Sequence, residues 1–179
     1  PNSCVLHYDR SARTLEDGDL VVVDAGGEFE GYASDVTRTF PANGTFTPEQ
    51  AKVYDAVLEA QEAAIAAVRP GMTLKQVHDV AYGVLERHGL AKWFLHGTCH
   101  SVGLDVHDAW RADAVLREGC VITVEPGVYD AARRIGVRIE DTVLVTANGC
   151  EVLSAALPKR RADVEERMRA ELDASSLPR

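Results

Sequence analysis

The sequence predicts an α+β fold, a strongly curved and mainly antiparallel sheet with helices on its outer face. Three observations predict it. Short apolar runs of strand character recur at 20–24, 121–124 and 138–146. Two amphipathic helical stretches follow one another directly, at 48–69 and 74–88. Strands and helices therefore do not alternate strictly, as they would in a doubly wound fold.

Taken in order, residues 4–8 (Cys-Val-Leu-His-Tyr) read as a short strand, and Glu16-Asp17-Gly18-Asp19 as a turn. The run 20–24 is continuously apolar and ends in an acid, which suits a strand buried on both faces. Gly26-Gly27 breaks it. Further strand follows at 29–33 and 36–40, with Pro41-Ala42-Asn43-Gly44 as the exit turn. Thr47 is a good N-cap, Pro48 fits the first helical position, and Gln50 completes a capping box. Val53, Val57, Ala60, Ala64 and Val68 form an apolar stripe at helical spacing, and Pro70-Gly71 ends it. Thr73 caps the second helix with Gln76 as box partner. Leu74, Val77, Val80, Ala81, Val84 and Leu85 face inward, and Gly89 stops it. The stretch 93–108 is irregular and glycine-rich. Residues 121–124 form a buried strand leading into Glu125-Pro126-Gly127. Residues 138–146 form another, which Ala147-Asn148-Gly149 turns into 150–153. A charged amphipathic helix occupies the tail, within 158–173.

A chain of 179 residues has room for one domain and one substantial core. Hydrophobic residues make up 46% and charged residues 26%, ordinary for a globular protein. The net charge of −9 argues against a nucleic-acid surface. No run of about 18 apolar residues predicts a membrane span, and no signal peptide is visible. Cys4, Cys99, Cys120 and Cys150 are far apart and form no Cys-x-x-Cys pair, which argues against a thiolate zinc site. The expectation is a reducing, cytoplasmic setting, with Cys99 as a small filler beside His100.

Five potential metal ligands stand in order along the chain: Asp24, Asp35, His100, Glu125 and Glu140, each in or beside an apolar run. Buried carboxylates are costly unless something positive pairs with them. No cluster of Lys or Arg accompanies these runs, so divalent cations are the simplest counter-charge. Asp24 and Asp35 are eleven residues apart, with Gly26-Gly27 and Gly31 between them. Two strands with a short connection bring such a pair to one point, where both would not ionise without a cation. Taken alone, they read as a strand-end turn acid and a cap. His96, His100 and His107 fall within twelve residues, spaced by glycines, which favours a site over a core. His78 and His88, on the second helix, read as surface or packing residues. Glu125, immediately before Pro-Gly, falls at a sheet rim. Alternation puts Arg138 and Glu140 on one face with Ile139 opposite. This pair reads equally as an arginine supporting a metal-bound carboxylate and as a cross-strand ion pair. Together the oxygen-rich set with one imidazole suits manganese, cobalt or zinc better than copper. Two such cations about 3.5–4 Å apart perform hydrolytic chemistry.

The runs VVVDAGGEFEGYASDVTRTFP, HGTCHSVGLDVHD, VITVEPGVY and GVRIEDTVLVT resemble the pita-bread metallopeptidases, and the match extends from about Val5 to Leu153. Glu125-Pro126-Gly127 with Tyr129, and the His107-Asp108 pair, resemble the branch that cleaves Xaa-Pro bonds, aminopeptidase P and prolidase. The resemblance implies a pita-bread fold and two divalent metals, manganese first, with cobalt or zinc as alternatives. Asp24 would chelate one metal, Asp35 and Glu140 would bridge both, and His100 and Glu125 would complete the second. Glu125 would also act as general base. His107 would hydrogen-bond the substrate carbonyl, and His7 would contact the substrate near the scissile bond. His96 would line the proline pocket, with Tyr129 and Arg138 forming a relay behind the metals.

The family's catalytic domain begins earlier than this chain does. The chain is therefore expected to be the carboxy-terminal portion of such a domain, residues 1–179, completed by the missing amino-terminal part of the same protein. A homo-oligomer is expected, and no nucleic-acid or membrane partner. The expected substrate is a proline-containing peptide, cut by an Xaa-Pro aminopeptidase. A dipeptidase restricted to Xaa-Pro is the alternative. It needs a cation for the substrate's free carboxylate, and Arg111 lies where prolidase-like members place one; a solvent-exposed loop arginine is the plainer reading. A non-catalytic binding module is the remaining alternative, although no ligand is lost. Creatinase-like hydrolysis without this metal set is disfavoured by the retained acids.

Overall fold

The chain's first half is set by paired strands and two capped helices. The computed structural model describes residues 2–10, 12–111 and 113–175. Strands β1 (Leu20–Ala25) and β4 (Val36–Pro41) pair antiparallel, Asp24 opposite Thr37. Between them a small hairpin joins β2 (Glu28–Phe29) and β3 (Tyr32–Ala33). Its turn places Glu30 and Gly31 at positive φ, 51° and 85°, which only a glycine adopts without strain.

Helix α1 (Pro48–Ala67) starts where the local chemistry says it must. Thr47 Oγ1 accepts the Gln50 amide at 3.3 Å, and Gln50 Oε1 accepts the Thr47 amide at 2.9 Å. The Gln50 side chain also donates to Gly18 O at 2.8 Å, tying the helix start to the turn before β1. Helix α2 (Leu74–Arg87) has the same box at Thr73 and Gln76. Gly89, at φ +69°, follows it.

The second half is β-rich. Strands β5 (Val121–Val124), β8 (Asp141–Thr146) and β9 (Gly149–Val152) form a three-stranded sheet in the order β5-β8-β9, and β6 (Gly127–Asp130) pairs with β7 (Ile135–Arg138). Every named strand pair is antiparallel, as expected. Helix α1 packs on β5, β6, β7 and β9. The core between helices and strands contains Val57, Val77, Leu85, Ile122, Val128, Val137 and Ile139, all with essentially no exposure. Burial of each such side chain contributes about 1.5–3 kcal/mol. Helix α3 (Arg161–Ser175) closes the described chain and buries Val164.

Four expectations need correction. Residues 4–8 are not a strand. A 3₁₀ turn spans Asn2–Cys4, and the chain then bends, with Val5 N donating to Asn2 O at 3.0 Å. Strand β1 is not buried on both faces. Leu20 is buried, but Val23 is 43% exposed, because β1 pairs with β4 on one side only among the described residues. Nor is 138–146 one strand. Strand β7 ends at Arg138 and β8 begins at Asp141, because the chain changes partner from β6 to β5. At the crossing the Glu140 amide donates to Thr37 O at 3.0 Å, turning the Glu140 side chain toward β4. The tail helix starts at Arg161, three residues later than the segment 158–173 implied.

Candidate active site

A cavity of about 310 Å³ opens where β1, β4, β5 and the β7–β8 crossing meet. Its wall carries His7, Asp24, Asp35, His96, His100, His107, Glu125, Arg138 and Glu140. Four distant stretches of backbone thus converge on one point. A larger groove of about 770 Å³ runs along α1, but its charged side chains mostly pair with each other: Glu49 with Arg133, and Glu59 with His88.

Local structure explains the placement of each group. The segment around His100 runs beside β5, with Thr123 N donating to His100 O at 2.9 Å and Glu125 N to Thr98 O at 2.8 Å. His100 and Glu125 therefore face each other, with Nε2 and Oε1 3.2 Å apart. The Thr123 hydroxyl donates to the same Glu125 oxygen at 3.1 Å. Asp35, just before β4, brings Oδ2 within 3.4 Å of His100 Nε2. Glu140 arrives from the β7–β8 crossing. One ligand atom each from Asp35, His100 and Glu140 lie within 4.8 Å of one another. Asp24, near the end of β1, is the most open member. Its side chain is 45% exposed and bound by Arg138 at 2.8 Å.

The histidines are arranged around this cluster. The His107 ring stacks on His100 with centroids 3.7 Å apart. Its loop is folded by Asp108, whose Oδ2 accepts the Leu104 amide at 3.1 Å and whose carbonyl accepts Ser101 Oγ. His96 Nε2 meets Tyr129 Oη at 2.8 Å, and Tyr129 Oη accepts Arg138 Nη1 at 3.0 Å. Gly127 makes this approach feasible, because a Cβ there would lie 2.5 Å from Tyr129 Oη. His7 lines the mouth of the cavity. Arg111 is not brought to the cavity: it is exposed and paired with Asp113 at 2.8 Å.

The electrostatics show strain between like charges. Burial, reinforced by Glu125, Asp35 and Asp24, pushes the Glu140 carboxyl up to about 8. Burial also raises Asp24, with Asp35 and Glu125 adding to the shift and Arg138 opposing it. His100 goes the other way from its burial: hydrogen bonds to Asp35 and Glu125 lift it to about 10. His96, desolvated, is lowered and stays neutral.

The set fits a hard or borderline divalent cation. It offers four carboxylates and one imidazole. Among the described residues, Glu140 Oε1 is buried with no hydrogen-bond partner and points to a missing positive group, while Oε2 accepts only the Thr37 hydroxyl at 2.6 Å.

Sequence reasoning missed several contributors. Thr37 bonds both Glu140 and Arg138. Thr123 holds Glu125 and the His100 backbone. The signal was present in both cases as a threonine inside an apolar strand run. His78, taken for surface or packing, is half-buried and 3.0 Å from Thr98 Oγ1. His88 is exposed and paired with Glu59.

Comparison with known proteins agrees with this geometry. Residues 1–147 match the model of metallopeptidase family M24. The chain is 42% identical over 197 residues to an Xaa-Pro aminopeptidase of Haemophilus influenzae, covering 93% of this chain and 46% of that protein. It is also 42% identical over 156 residues to an Xaa-Pro dipeptidase of Pyrococcus furiosus, covering 85% of this chain and 44% of that protein. Among solved structures, proline aminopeptidase P II from Yersinia pestis superposes with a TM-score of 0.88 at 38% identity, covering 94% of this chain and 46% of that one. The chain spans less than half the length of these relatives. Its architecture is the pita-bread fold of the aminopeptidases P, present in part. With the motifs, the fold and the converging acids all in agreement, the chain belongs to metallopeptidase family M24.

Proposed function

We propose that the protein containing this chain is an Xaa-Pro aminopeptidase, hydrolysing the bond between an amino-terminal residue and proline with two divalent metals. The observation that carries the reading is the single cavity that gathers Asp24, Asp35, His100, Glu125 and Glu140 beside His7, His96 and His107. Its support is the family and the named activity of the relatives.

In this reading Asp24, Asp35, His100, Glu125 and Glu140 hold the cations, manganese first, with cobalt or zinc as alternatives. The cations supply Lewis acidity toward a carbonyl and an acidified water. Glu125, 3.2 Å from His100 and steadied by Thr123, takes the water's proton and returns it to the departing proline nitrogen. His107, stacked on His100, donates to the carbonyl oxygen as charge develops on it. Neutral His96, fixed by Tyr129, forms the wall that accepts the proline ring. His7 contacts the substrate at the mouth. Arg138 neutralises part of Asp24's charge and holds Tyr129 in place. Residues 1–179 are the carboxy-terminal portion of the catalytic domain in this reading. The amino-terminal part completes the protein, which acts as a homo-oligomer in the cytoplasm.

The exposed, already paired Arg111 favours the aminopeptidase over a dipeptidase that would need it as a carboxylate clamp. The test is the full-length, manganese-loaded protein on Ala-Pro and on Ala-Pro-Ala. Release of alanine from both supports the proposal. Cleavage of the dipeptide alone selects the dipeptidase, and cleavage of neither refutes both.

A further inference from the structure

Among the half-buried titratable groups near the site, His78 has no part in the mechanism above. It lies on α2 and does not line the cavity. The rest of that helix face is aliphatic, with Val77, Ala81, Val84 and Leu85 buried. Pure packing would be served by another aliphatic side chain, since burying an imidazole costs free energy unless it is bonded.

The bonds His78 makes run toward the site in two directions. Its Nδ1 is 3.0 Å from Thr98 Oγ1. Thr98 is fully buried, and its carbonyl accepts the Glu125 amide at 2.8 Å. The same ring packs on Phe94, centroid to centroid 5.0 Å, and Phe94 stands perpendicular to the His96 ring at 5.3 Å. His96 is the ring that meets Tyr129.

We propose that His78 is a positioning residue for the metallopeptidase reaction, setting Glu125 through Thr98 and the His96 ring through Phe94. The inference rests on the peptidase reading above. The two routes call on different properties of one side chain. The first needs a polar atom at the Nδ1 position, and the second needs a flat ring. Two substitutions separate them: His78→Phe keeps the ring and loses the hydrogen bond, and His78→Asn does the reverse.

The full-length, metal-loaded protein is assayed on Ala-Pro-Ala as wild type, His78→Phe, His78→Asn, Thr98→Val and the His78→Phe/Thr98→Val pair. The expected result for His78→Phe is a roughly ten-fold lower kcat with KM nearly unchanged. For His78→Asn it is a kcat near wild type with KM raised several-fold. Thr98→Val should match His78→Phe, and the pair should be no worse than either alone, because one contact is removed in each. In parallel, side-chain and amide ¹⁵N NMR of the zinc-loaded protein should show the His96 ring signals moving in His78→Asn and the Glu125 amide moving in His78→Phe. Parallel changes in kcat and KM that track the melting temperature, additivity in the pair, or wild-type kinetics would overturn the inference. Unmoved His96 and Glu125 signals would overturn it whatever the activity. A wild-type protein inert on Xaa-Pro peptides, with those signals moving as expected, would instead defeat the peptidase reading alone.

Discussion

Glu140 and Asp141 are neighbours in sequence, both are buried, and their surroundings differ in kind. Asp141 is met by Arg38 at 2.7 Å, Lys159 at 2.7 Å, Gln61 at 2.8 Å and Ser154 at 2.6 Å. Although burial works against it, those partners hold its carboxyl below the usual carboxylate range. Glu140 has one hydroxyl for a partner, three acids nearby and an orphaned oxygen. Strand β8 begins between them, so the chain turns one acid toward α1 and the tail and the other toward the cavity. The difference teaches how to separate a structural acid from a ligand. A buried carboxylate whose charge the protein has already met belongs to the fold, whereas one left unmet among other acids awaits a cation.

The largest expected effects break this contrast directly. Asp35→Asn or Glu140→Gln in the full-length protein should lower kcat/KM on Ala-Pro-Ala by about 10³ or more, with far-UV circular dichroism unchanged. Arg38→Met should instead cost about 1–3 kcal/mol in urea unfolding, since it takes one of two cations from the buried Asp141 and removes the donor to the Leu157 and Pro158 carbonyls. Added manganese should not restore that loss. If Arg38→Met and Glu140→Gln gave the same phenotype, the two acids would not be different in kind.

A smaller effect sharpens the comparison by pH. Glu140 has a folded pKa of about 8, above its ordinary value, and His100 one of about 10. Both favour the fold when protonated, and that contribution is lost as pH rises from about 4.5 through 8 for Glu140 and from about 6.5 through 10 for His100. Asp141, lowered, contributes above its ordinary pKa and is lost as pH falls below it. The metal-free protein should therefore lose melting temperature on the alkaline side through the cluster and on the acid side through Asp141. Manganese should abolish the alkaline loss and release about two protons at pH 7 on binding, measurable by calorimetry in two buffers. An alkaline loss that metal leaves unchanged would show that the cluster does not hold it. Weakest of all, Arg111→Ala should change tripeptide turnover by less than about two-fold, as its exposed pairing with Asp113 implies.

Much of this contrast was legible in the sequence, and the illegible parts share a cause. Thr47, Gln50, Thr73 and Gln76 announce both helix starts because caps are local chemistry. The acids of the cluster could be picked out because each ends or flanks an apolar run. What the sequence did not show depends on contacts across the fold. The exposure of β1 follows from its having one partner, β4, among the described residues. The break between Arg138 and Asp141 follows from a change of partner strand. The structural role of Asp141, adjacent to a proposed ligand in Arg-Ile-Glu-Asp, was not visible, because its partners Arg38, Gln61 and Lys159 come from three other segments. The contact of His78 with Thr98 was hidden for the same reason, since the two lie twenty residues apart.

Unmet acids that are ligands must gather around cations. Crystals of the full-length, manganese-loaded protein, measured at the manganese absorption edge, should show two anomalous peaks about 3.5–4 Å apart. These should be enclosed by Asp24, Asp35, His100, Glu125 and Glu140, with none beside Asp141. An absence of peaks at Glu140, or a peak beside Asp141 in its place, would contradict it.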